Sequence, residues 1–178
     1  MQRLNAQELR TTPVSIEAYK QRRKNPITII CDNVLDTYNV GAIFRLADAV
    51  SAEKVILCGG TETPPNSKIK KASINTWQWV EWEYIATAME AVRKCQMSND
   101  KCQIMVVEQD ERSVPFQKAD YQFPLALVVG NETYGVSKEV LDRADQIVEL
   151  PMWGVNKSLN VMVSCGIVLY EAMKHIEK

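Results

Sequence analysis

Three stretches of the sequence gather polar and charged side chains beside glycines, each next to an apolar run. The first, NVLDTYNVGAIFRLADAV (Asn33 to Val50), sets Asn39 and Arg45 six residues apart. A helix opened by Asn39 separates them by about 240° around its axis. They need not share a face, yet cap and guanidinium can both reach a site beside the first turns. Gly41 lets another backbone or a phosphate approach closely. An Arg between Phe44 and Leu46 needs a reason, because an unpaired buried charge is expensive. A salt bridge to Asp48 or Asp36 is one reason, and the one that isolated physics favours; a catalytic or phosphate-binding role is the other.

In the second stretch, LALVVGNETYGVSKEVL (Leu125 to Leu141), a buried strand runs into Gly130-Asn131-Glu132, followed by Gly135 and Ser137. Two glycines flanking Asn-Glu make a tight loop whose amides can grip a ligand. An ordinary strand-to-helix turn with a Ser137 cap accounts for the same residues equally well. The third, IVELPMWGVNKSLNVMVSCGIVLYEA (Ile147 to Ala172), ends a strand at Pro151-Met152-Trp153-Gly154 and opens the last helix at Ser158-Leu159-Asn160. The free amides of that helix start, with the Ser158 hydroxyl and the Asn160 amide, suit a carboxylate or phosphate. Taken alone, Ser158 is a helix cap. Leu159, Met162, Gly166, Leu169 and Met173 recur at three- and four-residue spacing, the stripe of a core or a subunit interface.

Several chemistries lack their residues. The glycines form neither a GxGxxG fingerprint nor a GxxxxGK phosphate loop, which weakens dinucleotide and ATP readings. The single histidine, His175, leaves no His-based triad and no multi-His metal site. The five cysteines form no CxxC pair and are odd in number, as for reduced core thiols, so no metal is expected.

The elements that must position these groups follow from periodicity and punctuation. A short helix spans Ser15 to Lys24 and is stopped by Asn25-Pro26. Ile27 to Cys31 and Lys54 to Cys58 read as strands, with a helix over Asn39 to Val50 between them. After the Pro-rich loop Thr63 to Asn66, Trp77, Trp79 and Trp82 alternate as in a strand. Ala86 to Met97 is a helix, Gln103 to Val107 and Leu125 to Val129 are buried strands, and Ser137 to Ala144 is a helix. A strand over Gln146 to Leu150 and a long helix over Ser158 to Ile176 complete the chain. Such alternation makes an α/β fold, a mostly parallel sheet with helices on both faces, which binds ligands beyond the carboxyl ends of its strands. Those ends carry the three stretches above.

Length and composition suit one globular domain: 178 residues, 46% hydrophobic and 24% charged. The leading residues MQRLNAQELR lack the apolar core of a signal peptide, and no apolar run reaches membrane-spanning length, so a cytoplasmic place is expected. Net charge is −1, which alone argues mildly against nucleic acid. Two basic clusters run the other way: Lys20, Arg22, Arg23 and Lys24, and Lys68, Lys70 and Lys71. Either is a set of phosphate contacts or a solvated helix face.

In order and spacing the three stretches together resemble the SpoU family of RNA ribose methyltransferases, of the SPOUT trefoil-knot superfamily. The motifs are NxGAIxR at Asn39 to Arg45, VVGNExxG at Val128 to Gly135, and LPM followed by SLNV at Leu150 to Val161, closed by LYEA. The resemblance covers about Asn33 to Ala172 and implies a deep C-terminal trefoil knot, which ordinary connection rules would exclude. It implies a homodimer through the knot region and last helix. It implies S-adenosylmethionine as methyl donor, held by Glu108 and Gln109, by Gly130, Asn131 and Glu132, by Leu150 and Met152, and by Ser158, Leu159 and Asn160. Arg45, supported by Asn39, is then the catalytic residue. Arg45 and Ser158 face RNA, with Arg22, Arg23 and Lys24 as weaker contacts. Two roles stand open for Arg45, a general base or an anchor that orients a phosphate and offsets charge on the attacking oxygen; a guanidinium stays protonated at any working pH, which favours the anchor.

Residues 1–26 then form a short helical lead and 27–178 the methyltransferase domain, with tRNA a modest preference over rRNA. Trp153 and Lys157 depart from the family pattern without replacing a motif residue. Two rivals stand beside this reading: a non-catalytic RNA-binding protein of the same fold, and an unrelated nucleotide-binding α/β enzyme.

Overall fold

The computed structural model describes Ser15, Glu17, Tyr19 and residues 21–176. Strands β1 (Asn25–Asp32), β2 (Ala52–Cys58), β3 (Trp82–Ile85), β4 (Gln103–Val107), β5 (Val114–Pro115), β6 (Leu125–Val129) and β7 (Gln146–Glu149) are joined through helices α1 (Thr37–Ala49), α2 (Ser67–Ser73), α3 (Ala88–Ser98), α4 (Lys138–Leu141) and α5 (Val161–Ala172). The strands form one seven-stranded sheet in the order β3-β2-β1-β6-β4-β7-β5. Every neighbouring pair is parallel.

Both faces of the sheet are covered, which is why its central strands read as near-continuous apolar runs. Along β1 and β6, Ile27, Ile29, Cys31, Leu125, Leu127 and Val129 enter one core, together with Ile43 and Phe44 of α1, Ile69 of α2 and Leu169 of α5. Ile30, Ala126 and Val128 point the other way, into a second core with Ala91 and Val92 of α3 and Val140 of α4. Each fully buried aliphatic side chain contributes roughly 1.5–3 kcal/mol relative to exposure.

The element boundaries depart from expectation in informative ways. The cap of α1 is Asp36, whose carboxylate accepts from the Tyr38 amide at 2.8 Å. The helix therefore starts before Asn39, and that side chain is left free for other contacts. Trp77 and Trp79 do not belong to a strand. Ile74 and Asn75 take positive φ and turn the chain into a short 3₁₀ turn over Thr76–Gln78, so Trp82 alone enters β3. Ser137 makes no side-chain cap, and α4 is four residues long. The cap of α5 is Asn160, not Ser158; its side chain accepts from the Met162 amide at 2.9 Å. Of the leading helix, Glu17 and Tyr19 are helical and the chain turns at Gln21. Lys20 lies outside the described residues.

Candidate active site

Parallel strands bring the loops leaving β1, β4, β6 and β7 to one edge of the sheet. Between the last three lies a cleft of about 420 Å³, inside the range of about 300–1,000 Å³ usual for small-molecule sites. The loop after β4 contributes Glu108 and Gln109, and the loop after β6 contributes Gly130, Asn131 and Glu132. The segment after β7 contributes Leu150, Met152, Ser158, Leu159 and Asn160. These ten residues from three separate stretches thus face one space. Gln109 Nε2 donates to the Lys157 carbonyl, pinning the first loop to the last segment.

Asn39 joins the three motifs. Its Nδ2 donates to Glu132 Oε1 at 2.9 Å, and its Oδ1 accepts from Asn160 Nδ2 at 3.0 Å. Asn39 is 5% exposed, so both ends of its amide are satisfied by protein rather than water. Glu132 accepts two further bonds, from the Leu35 amide at 3.1 Å and the Asp36 amide at 3.0 Å. Partial burial pushes the Glu132 carboxyl up, but the bonds from Asn39, Leu35 and Asp36 outweigh it and hold the group below the ordinary carboxylate range.

The loop after β6 is built for close approach. A Cβ on Gly130 would lie 2.3 Å from the backbone of Gly135 and Val136. Gly135 has φ +69°, and a Cβ there would lie 2.1 Å from Glu108 Oε2. That same oxygen accepts from the Val136 amide at 3.0 Å. The Asn131 carboxamide shapes the loop, accepting from the amides of Thr133 at 2.8 Å and Tyr134 at 3.0 Å and donating to the Asn33 carbonyl at 2.8 Å. Two residues at the end of β1 have supporting roles that the sequence did not assign. Asp32, 2% exposed, accepts from the Ser137 amide at 2.8 Å. Asn33, at φ 55°, accepts from the Gly60 amide at 2.8 Å. Their position at the end of β1 was the only signal for either.

Electrostatically the cleft is one-sided. Glu108, Glu132 and Glu149 line it, and among the described residues no Lys or Arg does. Three carboxylates and no cation repel a polyphosphate and suit a ligand that carries positive charge.

Arg45 is not part of this lining. It is exposed, because Asn39, Val40, Gly41, Ile43, Phe44 and Ala47 take the buried side of α1. The salt bridge to Asp48 or Asp36 does not form: Asp48 accepts from Trp79 Nε1 at 3.1 Å and Asp36 caps the helix. Arg45 therefore stands without an ion pair among the described residues. Arg22 and Arg23 are exposed beside the start of β1, at the opposite edge of the sheet from the cleft. The Lys24 ammonium lies 3.5 Å from the centroid of the Tyr19 ring, and burial lowers its pKa, so it is tucked into the protein rather than offered to solvent.

The model of the SpoU rRNA Methylase family matches residues 26–170. The chain is 35% identical over 162 residues to the tRNA (guanosine(18)-2'-O)-methyltransferase of Aquifex aeolicus, a match covering 89% of this chain and 74% of that protein. It is 30% identical over 150 residues to the 23S rRNA (guanosine-2'-O-)-methyltransferase RlmB of Ralstonia nicotianae, covering 84% of this chain and 59% of that one. Among solved structures, the A. aeolicus TrmH/SpoU tRNA modifying enzyme superposes with a TM-score of 0.78 at 31% identity, over 89% of this chain and 79% of the other. The AdoMet-bound rRNA methyltransferase of Sinorhizobium meliloti also reaches 0.78, at 27% identity, over 88% of this chain and 59% of the other.

Proposed function

Because this chain belongs to the SpoU rRNA Methylase family, we propose that it transfers a methyl group from S-adenosylmethionine to a ribose 2′-hydroxyl of RNA. The observation that carries the reading is the cleft where the family's motifs meet, lined among the described residues by three carboxylates and no cation. When bound, S-adenosylmethionine supplies an electrophilic methyl on a positively charged sulfonium. Glu108 and Glu132 give that ligand a complementary field, and Leu150, Met152 and Leu159 give it apolar walls. Gly130 and Gly135 keep the loop close enough for its backbone to take part. Among the described residues no cation lines the cleft for a nucleoside polyphosphate, which weighs against the unrelated nucleotide-binding reading.

Arg45, without an ion pair among the described residues, holds an RNA phosphate and offsets negative charge growing on the ribose oxygen. Asn39 is a positioning residue: through Glu132 and Asn160 it fixes the first turns of α1, and so the approach of Arg45, against the cleft. Alignment of the attacking oxygen by these contacts supplies a further part of the acceleration. Ser158, exposed at the mouth of the cleft, joins the RNA side of the site.

The same proposal includes tRNA before rRNA as substrate, supported by 35% identity to the A. aeolicus tRNA enzyme against 30% to the R. nicotianae rRNA enzyme. It includes a homodimer through the outward face of α5, where Val163, Ile167 and Tyr170 recur at helical spacing and stay exposed. It includes a C-terminal trefoil knot, supported by the TM-score of 0.78 to the A. aeolicus TrmH/SpoU enzyme. A methyltransferase domain over 27–178 with a short lead over 1–26 is supported by the span of the family match. A cytoplasmic place is supported by free cysteines throughout the described residues. The test is labelled methyl transfer from S-adenosylmethionine to unmodified tRNA and, separately, to rRNA. Label in tRNA is expected. Label in rRNA alone would reassign the substrate, and S-adenosylmethionine binding without transfer to either would favour the non-catalytic reading.

A further inference from the structure

Helix α2 carries Lys68, Lys70 and Lys71, all exposed. Among the described residues, Lys54, Lys94, Lys138 and Lys174 have carboxylate partners; the three lysines of α2 have none, and unlike Lys24, Lys101, Lys118 and Lys157, which also lack one, they stand together on one short helix. The nearest acid in sequence, Glu62, pairs with none of them. Helix stability does not explain the set. Lys70 and Lys71 sit in the last turn, where cations favour the helix dipole, but Lys68 stands in the first turn, where a cation opposes it.

The helix is also held too firmly for a loose solvated segment. Asn66 Oδ1 accepts from the amides of Lys68 at 2.9 Å and Ile69 at 3.3 Å, and Ile69 is fully buried. Against α1 the approach is so close that a Cβ on Gly41 would lie 2.6 Å from Ala72 Cβ and 2.8 Å from the Ile69 carbonyl. Arg45 follows Gly41 by one helical turn, about 40° around the axis, so it emerges beside α2. Both helices start from the edge of the sheet that holds the cleft.

We propose that Lys68, Lys71 and Lys70, spread in that order over about 160° of the exposed side of α2 beside Arg45, form a rigidly held cationic surface that binds the phosphate backbone of the RNA beside the methylated ribose. This rests on the reading of the protein as an RNA methyltransferase. The face neutralises backbone charge without reading sequence, as lysines do on nucleic acid. Because it is docked on the helix of Arg45, it registers the RNA against the catalytic residue.

The test compares full-length wild type with the triple variant Lys68→Gln, Lys70→Gln, Lys71→Gln. Binding of unmodified tRNA is measured across a salt series, with S-adenosylmethionine affinity and melting temperature as fold controls. In the variant, RNA binding should weaken by about tenfold or more near 0.1 M salt, and the slope of log K against log salt should shrink by about 2–3. The KM for RNA should rise while turnover at saturating RNA stays within about twofold. A triple Lys→Arg variant should keep the wild-type slope, as should Lys101→Gln at the opposite edge of the sheet. Unchanged affinity and slope in the triple Gln variant, while wild type methylates RNA, would overturn the docking face alone. Wild-type protein that neither binds nor methylates RNA would overturn the docking face together with the reading beneath it.

Discussion

Glu132 shows how much one carboxylate organises. Its two oxygens accept from Leu35, Asp36 and Asn39, three donors on the segment after β1. Glu132→Gln keeps the shape but turns an amide against one of those donors. A loss of about 1–2 kcal/mol is expected at neutral pH, less than for a fully buried group because the side chain is part exposed. Thermal denaturation measures it. The sign with pH follows from the lowered pKa. The stabilisation is complete above the ordinary carboxylate value of about 4.3 and is lost as pH falls through the lower folded value. The gap in melting temperature between wild type and Glu132→Gln should therefore close on acidification below about pH 4. The Asn-Glu pair between two glycines was legible as a ligand loop. The link from Asn39 to Glu132 and Asn160 was not, because it joins residues 93 and 121 positions apart. Arg45 was legible as unusual, but its exposure was not, since the apolar neighbours Phe44 and Leu46 said nothing of which side of α1 faces the sheet.

At the scale of elements, the start of α5 does two jobs through one side chain. Asn160 Oδ1 caps the helix and Asn160 Nδ2 holds Asn39. Asn160→Asp keeps the acceptor and loses the donor, whereas Asn160→Ala loses both. The Ala variant should lose about 0.5–2 kcal/mol of stability for the cap. The Asp variant keeps the cap but sets a carboxylate against the buried Asn39 Oδ1, so it too should lose about 1–3 kcal/mol, and thermal denaturation measures both. Strand interiors were legible as short β-branched runs, and β4 and β6 match their expected limits residue for residue. Element ends were less legible because distant partners set them. β1 reaches back to Asn25, whose amide donates to the Ser51 carbonyl at 2.8 Å. The Trp77 to Trp82 run misled through its period of two, because the positive φ of Ile74 and Asn75 bends the chain before a strand can form.

Across the whole molecule, alternation of strands and helices was enough to give a parallel sheet with two covered faces. It did not give the order in which β6 lies beside β1 and β4 lies between β6 and β7. Those neighbours come from pairing far apart in sequence, which local periodicity does not encode. α5 remains apolar on the face turned away from the core, with Ile167 at 36% and Tyr170 at 56% exposure. If that face joins two copies, Ile167→Glu should shift the protein from dimer to monomer in sedimentation, whereas Lys118→Glu should not. The central claim is chemical: a methyl group placed on a ribose oxygen by a site that depends on Arg45. The most direct measurement is nuclease digestion of RNA labelled from S-adenosylmethionine, followed by separation of 2′-O-methylated nucleosides from base-methylated ones, for wild type and Arg45→Ala. The account requires the label in 2′-O-methyl nucleosides for wild type, and about 10²–10³-fold slower labelling in the variant at undiminished S-adenosylmethionine affinity. Label on a base, or equal labelling by Arg45→Ala, would contradict it.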